Sequence, residues 1–423
     1  MNPLLTGGAV IFILGIGGCL FQKYLQTVLT SDYSVPSYPF FAVYEATRIR
    51  HYPCFAMFMG AVLFFLGLSG EKAGRYFELF RYYKWVLAAV IFSAIFFSYR
   101  EWTYWGRPLW DGYGDFAGRL YAVFSDPGLI NIRLLNEFSR TYIHICSPLV
   151  PLTTAALNLL VKNILLSYMA TTLIFTLLTG MIIRRIVMRF YNVPEYASWA
   201  YLVFFFSHCF VIRSIIFPQT DPALLFFSTV SLYLTYRLIM QYQQKYLVWL
   251  AIILSLNMFV KAGACYVACL LLFCYCHQCF TGSRPLEWGK LLRIVAATFL
   301  VPALLFIFYI GHFHLYQNLF NEVYTRNHGW WVKDISLKQF LTSLVNSFQI
   351  YIFFFIKKDS AGYQYSWIPV YLIILTLVSL VLSSVAFWSR FFLLLVPSII
   401  LISVPALEQE TGRVAVFQAK TTV

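Results

Sequence analysis

The stretch from residue 291 to residue 310 reads LLRIVAATFLVPALLFIFYI and holds a single charged residue, Arg293. About 20 consecutive apolar residues in a helix are enough to cross the hydrocarbon of a bilayer. Because hydrocarbon offers no water to the backbone, such a segment must satisfy its N–H and C=O groups internally, as an α-helix does. The stretch therefore predicts a membrane-spanning helix.

The rest of the chain has the same character. Its 423 residues are 60% hydrophobic and only 11% charged, which is too few charges for the surface of a soluble domain of this length. We expect an all-α, polytopic integral membrane protein with about 11–13 transmembrane helices. The apolar runs predict spans at residues 5–28, 53–69, 84–99, 164–183, 197–215, 218–237, 246–260, 262–279, 292–312, 343–357, 367–387 and 390–406.

The basic residues predict the orientation of these spans. Lys and Arg collect in cytoplasmic loops and bind anionic headgroups, so the net charge of +14 predicts membrane lipids and no nucleic acid as partners. With a cytoplasmic N-terminus, four basic groups fall on the cytoplasmic side. These groups are Lys72, Arg75, Arg81 and Lys84; Arg184, Arg185 and Arg189; Arg284, Lys290 and Arg293; and Lys357 and Lys358.

Two long segments then face outward, at about 100–163 and 313–342. Apolar residues at helical spacing in the first segment predict amphipathic helices on the outer membrane surface. The N-terminus lacks a basic region and a clear cleavage site, which predicts a retained first helix rather than a signal peptide. Most of the nine cysteines lie in apolar runs, where they act as small hydrophobes and not as a disulfide framework.

The first outward segment carries two acids, Asp111 and Asp115, in the sequence WDGYGDF. Neighbouring aromatic side chains would partly desolvate these carboxylates and raise their pKa, as a general base acting on an alcohol requires. The alternative is a solvated pair of loop aspartates that Arg107 and Arg119 neutralise.

Four more residues on the predicted outer side are candidates for substrate or lipid-phosphate binding: Asp221, Lys261, His328 and Arg390. A purely structural role is an alternative for three of these residues, whereas for the fourth, Lys261, the sequence favours a functional role. Asp221 could cap its helix, Arg390 could reach headgroups, and the tryptophans beside His328 could form an interfacial belt. Lys261 interrupts an apolar run too deep for easy contact with headgroups, which favours a functional role.

Five motifs, taken in order, resemble the GT-C superfamily of membrane glycosyltransferases, especially its mannosyltransferase and aminoarabinose-transferase-like branches. The motifs are DGYGDF (111–116), SPLVPL (147–152), QTDPALLFF (219–227), FVKAGACY (259–266) and RFFLLLVP (390–397). In that family the acidic loop usually follows the first helix, whereas here it follows the third. We therefore interpret residues 1–83 as an added N-terminal transmembrane hairpin, 84–406 as a GT-C-like catalytic module and 407–423 as a C-terminal tail.

The resemblance implies transfer of a sugar from a polyprenyl-phosphate carrier to a lipid, glycan or protein acceptor at the outer (periplasmic or lumenal) face. It implies Asp115 as first choice for the general base and Asp111 as second. Arg390 and Lys261 would stabilise the leaving lipid phosphate, because fixed positive charge is strongest in a low-dielectric site. Asp221 would position a hydroxyl or hold a cation.

Two other kinds of protein are compatible with the sequence. A surface-polysaccharide polymerase or ligase would depend on outward arginines and a histidine without an essential loop aspartate. A multi-pass transporter would place charged sites near the membrane midplane, often in repeated halves. The bacterial inner membrane is preferred over the endoplasmic reticulum, because no retention signal is evident.

Cofactor motifs are sparse. The run CYCHQC (274–279) crowds Cys and His but fits no standard zinc spacing, so no metal site is predicted, and a divalent cation elsewhere is left open. Neither a phosphate-binding glycine loop nor a dinucleotide fingerprint occurs, which argues against nucleotide sugars and ATP hydrolysis.

Overall fold

The computed structural model describes residues 3–20, 149–162, 164–208, 211, 214, 221–260, 266–312, 316, 367–382 and 393–410. Within these residues the regular structure is entirely helical, as the sequence predicts. The α-helices are α1 Pro3–Leu20, α2 Leu149–Val161, α3 Ile164–Phe190, α4 Glu195–Ser207, α5 Asp221–Met240, α6 Gln244–Val260, α7 Cys269–Phe280, α8 Trp288–Val295, α9 Val301–His312, α10 Trp367–Leu382 and α11 Val396–Glu410. A π-helical turn, Ala296–Leu300, joins α8 to α9.

Three helical segments of the described chain are long and apolar enough to cross a membrane. They are Ser167–Phe190, Asp221–Met240 and Trp288–His312, the last of which runs through α8, the π turn and α9. They correspond to the fourth, sixth and ninth predicted spans. This supports a membrane protein, and the remaining described helices are shorter.

One end of the bundle is formed by three chain turns that lie close together. Tyr191, after α3, shares a 2.8 Å hydrogen bond with Tyr236 near the end of α5. Arg284, between α7 and α8, donates to the carbonyl oxygen of Ile239 at 2.6 Å. The turns are residues 191–194, 241–243 and 281–287. Helices α3, α5 and α7 therefore end at the same place, where α4, α6 and α8 begin.

This end of the bundle is strongly positive, and we call it the basic end. The three turns and the helix ends directly beside them carry eight cations and two acids. The cations are Arg184, Arg185, Arg189, Arg237, Lys245, Arg284, Lys290 and Arg293, and the acids are Glu195 and Glu287. Two of the four predicted basic groups thus share one side, and the other two groups lie outside the described residues.

Helix α2 lies at the end of the first outward segment (about 100–163), and the earlier part of that segment, where amphipathic surface helices are predicted, lies outside the described residues. Helix α2 packs antiparallel to α3, with Thr154 donating to Thr171 at 3.1 Å and Ser167 donating to Asn158 at 3.2 Å. Pro151 lies in the first turn, where its missing N–H costs no hydrogen bond. Paired polar side chains therefore hold α2 along the half of α3 that is remote from the basic end.

Several helix boundaries differ from those predicted from the sequence. Helix α4 ends at Ser207, well before the predicted residue 215, because His208 has an extended backbone. The apolar run 246–279 is divided between α6 and α7, as predicted. Helix α3 continues past its predicted end through three arginines to Phe190. Close packing fixes α4 against α3, since a Cβ on Gly180 would lie 2.9 Å from side-chain atoms of Leu202 and Phe206.

The shared basic end can be tested by labelling single cysteines in a cysteine-free background. Asn192→Cys and Ser283→Cys lie in exposed turns at the basic end, whereas Lys162→Cys lies exposed at the far end of α3. We expect a membrane-impermeant maleimide to modify positions 192 and 283 from one side of the membrane and position 162 from the other. Modification of all three from the same side would contradict the arrangement.

Candidate functional site

Helix α5 lies at the centre of the described bundle, packed against α3, α6, α7 and α10. Asp221 is its first residue, and its side chain is buried, with 2% exposed. A carboxylate in the first turn faces N–H groups that have no partner within the helix, and it interacts favourably with the helix dipole. Both sequence interpretations, a capping residue and a ligand-positioning residue, are compatible with this place.

The packing of α5 against α3 sets the depth of Asp221. Phe175 of α3 lies 5.6 Å from Phe226 and 5.9 Å from Phe227, between ring centroids, and the two helices run parallel. Asp221 is therefore close to the level of residues 169–170, within one helical turn of Thr172 and about 8–9 Å inside the first residue of α3 at 1.5 Å per residue. The sequence predicts Asp221 at the mouth of its span, and in the structure it is the first residue of a membrane-length helix, at the end remote from the basic end.

Most buried hydroxyl groups in this part of the bundle are satisfied by their own helix. They donate to the carbonyl oxygen four residues earlier, a common arrangement for Ser and Thr in apolar helices. The donors are Thr171, Thr176, Thr179, Thr229, Ser231 and Ser255, at 2.7–2.8 Å. Thr172 and Ser228 are buried without such a bond, and neither hydroxyl has a hydrogen-bond partner among the described residues.

Asn257 of α6 leaves more hydrogen-bonding atoms without a partner among the described residues than Thr172 or Ser228 does. Its side chain is 1% exposed, and neither its amide nitrogen nor its amide oxygen has a partner in the described part of the chain. Helices α5 and α6 form an antiparallel hairpin in which Arg237 donates to Tyr246. This register puts Asn257 at the level of Phe226, within about 3 Å of the level of Ser228 and about 8 Å along the bundle axis from Asp221. We call Thr172, Asp221, Ser228 and Asn257 the polar seam.

The chemistry of the polar seam suits a ligand rich in hydroxyl groups. A primary amide offers two donors and one acceptor oxygen, and a carboxylate offers only acceptors. A buried polar group without a partner costs about 1–3 kcal/mol, and in native proteins strain, a catalytic role, or a bound water or ion accounts for such a group. The polar seam can therefore donate to and accept from the same bound molecule.

Of the site residues predicted from the sequence, the structure describes only Asp221. Asp111, Asp115, Lys261, His328 and Arg390 lie outside the described residues. In the sequence Lys261 directly follows the last residue of α6. The sequence analysis missed Asn257, although a lone amide in the apolar run LSLNMFV was a signal that could have found it.

The CYCHQC run of α7 forms an aromatic contact. His277 Nδ1 lies 2.8 Å from the hydroxyl of Tyr371, and its ring stacks on Trp367 with centroids 4.3 Å apart. In the described ranges, no three His, Cys, Asp or Glu residues are grouped so that they could hold a metal ion. This cluster joins α7 to α10 near the basic end.

Comparison with protein-family models, with curated proteins and with solved structures gives no match to this chain. The motif resemblance to GT-C enzymes therefore carries no family assignment. A functional proposal has to rest on the residues themselves.

Asn257→Leu tests whether the amide is unsatisfied in the ligand-free protein. We expect the substitution to raise the free energy of unfolding by about 1 kcal/mol, because it removes a buried polar group that gains no hydrogen bond. The matched control, Asn158→Leu, removes the bond from Ser167 and should lower stability by a similar amount. Thermal unfolding in detergent measures both. A destabilised Asn257→Leu would mean that the amide is already bonded within the protein.

Proposed function

We propose that this protein is a glycosyltransferase that moves a sugar from a polyprenyl-phosphate carrier to a lipid, glycan or protein acceptor. The observation that carries the proposal is the buried carboxylate of Asp221 at the start of a membrane-length helix, in a polar seam whose Asn257 amide lacks a partner among the described residues. The order of the five sequence motifs supports the same reaction class.

In this proposal the polar seam holds hydroxyl groups of the donor sugar. Asp221 accepts a hydrogen bond from one hydroxyl, while Asn257 donates to one oxygen and accepts from another hydroxyl. Fixing the sugar in this way places its anomeric carbon for attack and supplies part of the barrier reduction through orientation. Because the seam is shielded from water, each hydrogen bond is stronger than it would be on the surface.

The reacting groups in this proposal are those that the motif resemblance implies. Asp115, or else Asp111, takes the proton of the acceptor hydroxyl as that oxygen attacks the anomeric carbon. The carbon–oxygen bond to the phosphate breaks, and the phosphate leaves as an anion that Arg390 and Lys261 stabilise. Attack opposite the phosphate inverts the anomeric centre.

The distribution of positive charge predicts toward which side of the membrane the polar seam lies. With the basic end in the cytoplasm, as the distribution of Lys and Arg favours, the polar seam lies in the half of the bundle toward the periplasm or lumen. A lipid-linked sugar in the outer leaflet would then enter the seam from the side. We propose the bacterial inner membrane as the location.

A transporter is the second candidate, and α2 is the observation that favours it. This helix of 13 residues packs along only part of the 27-residue α3, and its first residue lies within the bundle, near the level of Thr176. Short helices that end within a bundle are common at transport sites. Uptake of free sugar into proteoliposomes, with no donor cleavage, would favour this candidate.

The enzyme proposal is tested by sugar release from polyprenyl-phosphate mannose and polyprenyl-phosphate aminoarabinose by purified protein. We expect Asp115→Asn to lower the rate by about 10²–10⁴-fold, the usual contribution of a general base. Asp221→Asn should raise KM more than Asp115→Asn does, because its role is to hold the sugar.

The matched control is Glu195→Gln, which removes an acid at the basic end. This carboxylate is 74% exposed and pairs with Arg184, so its loss should leave the rate unchanged. Thermal unfolding confirms that each variant is folded. Wild-type rates in folded Asp115→Asn and Asp111→Asn, or cleavage of neither donor by the wild type, would contradict the proposal.

A further inference from the structure

The cations of the basic end fall into two groups. Four of them are half-buried and have partners within the protein. Arg184 pairs with Glu195 at 2.8 Å, and Lys290 pairs with Glu287 at 3.0 Å. Arg284 donates to a backbone carbonyl at the end of α5. Arg237, the fourth, donates to a tyrosine hydroxyl. This group holds the helix ends together.

The other four cations are exposed: Arg185, Arg189, Lys245 and Arg293. None of them forms an ion pair with an acid of the described chain. Two lie against tyrosine rings instead. The Arg185 guanidinium carbon is 5.8 Å from the ring centroid of Tyr233, and Lys245 Nζ is 5.1 Å from that of Tyr246. Within the described part of the chain, no acid therefore neutralises their charge.

Tyr242, in the turn between α5 and α6, lies near one cation of each group. Lys290 Nζ lies 4.7 Å from its ring centroid. Partial burial raises the pKa of Tyr242 above its ordinary value, and the neighbouring Arg293 guanidinium opposes that shift. The phenol is therefore neutral at physiological pH and can donate a hydrogen bond to an anion beside Arg293.

Large apolar side chains are exposed next to these cations. Phe280 is 90% exposed, Trp288 is 69% exposed and Leu292 is 67% exposed. Trp288 and Leu292 lie one helical turn apart on α8, the same short helix that carries Lys290 and Arg293. A soluble anion would satisfy the cations but leave these apolar side chains in water. A surface of anionic phospholipid satisfies both.

We propose that Arg189, Lys245 and Arg293, together with the tyrosines beside them, bind the phosphate groups of anionic phospholipids at the basic end. The exposed apolar side chains of the α7–α8 region lie in the adjoining acyl boundary. This site is separate from the polar seam and does not depend on the proposed reaction. It anchors the turns between α3 and α4, α5 and α6, and α7 and α8 to one leaflet.

The experiment measures binding of fluorescent phosphatidylglycerol to the purified full-length protein in neutral detergent, with fluorescent phosphatidylcholine as the zwitterionic comparison. The test variant combines Arg189→Gln, Lys245→Gln and Arg293→Gln. The matched control is Lys162→Gln, an exposed cation outside the basic end. We expect the triple variant to bind phosphatidylglycerol about tenfold or more weakly, since each interfacial cation contributes to the attraction, and the control to bind as the wild type does.

Two further measurements on the wild type keep the result decisive if the triple variant is unstable. Raising the salt concentration should weaken phosphatidylglycerol binding, because screening acts on exposed charges. Soluble glycerol phosphate at the same concentration as the lipid should not displace it. Equal affinity for the two lipids, unchanged affinity in a folded triple variant, or displacement by glycerol phosphate would overturn the proposal.

Discussion

The cost of placing polar groups in hydrocarbon is the constraint on which this structure depends. A chain that is only 11% charged can put almost all of its ions at the ends of its helices, where water and headgroups solvate them. The basic end follows from this sorting. Within the bundle the same cost makes most Ser and Thr hydroxyls bond to their own helix. A buried carboxylate, and an amide that has no partner among the described residues, are therefore candidates for ligand binding.

Helix α5 connects the two regions that result. Its first residue, Asp221, is buried, and its last turn carries Arg237, which joins the basic end through Tyr246. The side chains between them, including Leu225, Leu232 and Tyr236, are almost fully buried. A buried central helix of this kind sets the depth of the polar seam relative to the leaflet that the basic end faces.

The sequence was sufficient for features that depend on composition. The all-α class and the spans that became α3, α5 and α8–α9 follow from apolar runs, and two basic groups fell on one side as their spacing predicted. Features that depend on contacts between helices were not predictable. The pairing of Thr154 with Thr171 holds α2 along α3, and a hydropathy pattern does not contain such a contact. Asn257 was missed because one amide scarcely alters the character of its run.

The central claim is that the polar seam, and not the basic end, binds the sugar. The most direct test is an experimentally determined structure of the protein with a non-cleavable phosphonate analogue of a polyprenyl-phosphate sugar. The account predicts that the sugar lies within hydrogen-bond distance of both Asp221 and Asn257, with the lipid phosphate toward the end of the bundle opposite the basic end. A sugar bound among Arg189, Lys245 and Arg293, with the seam closed and empty of ligand, would contradict it.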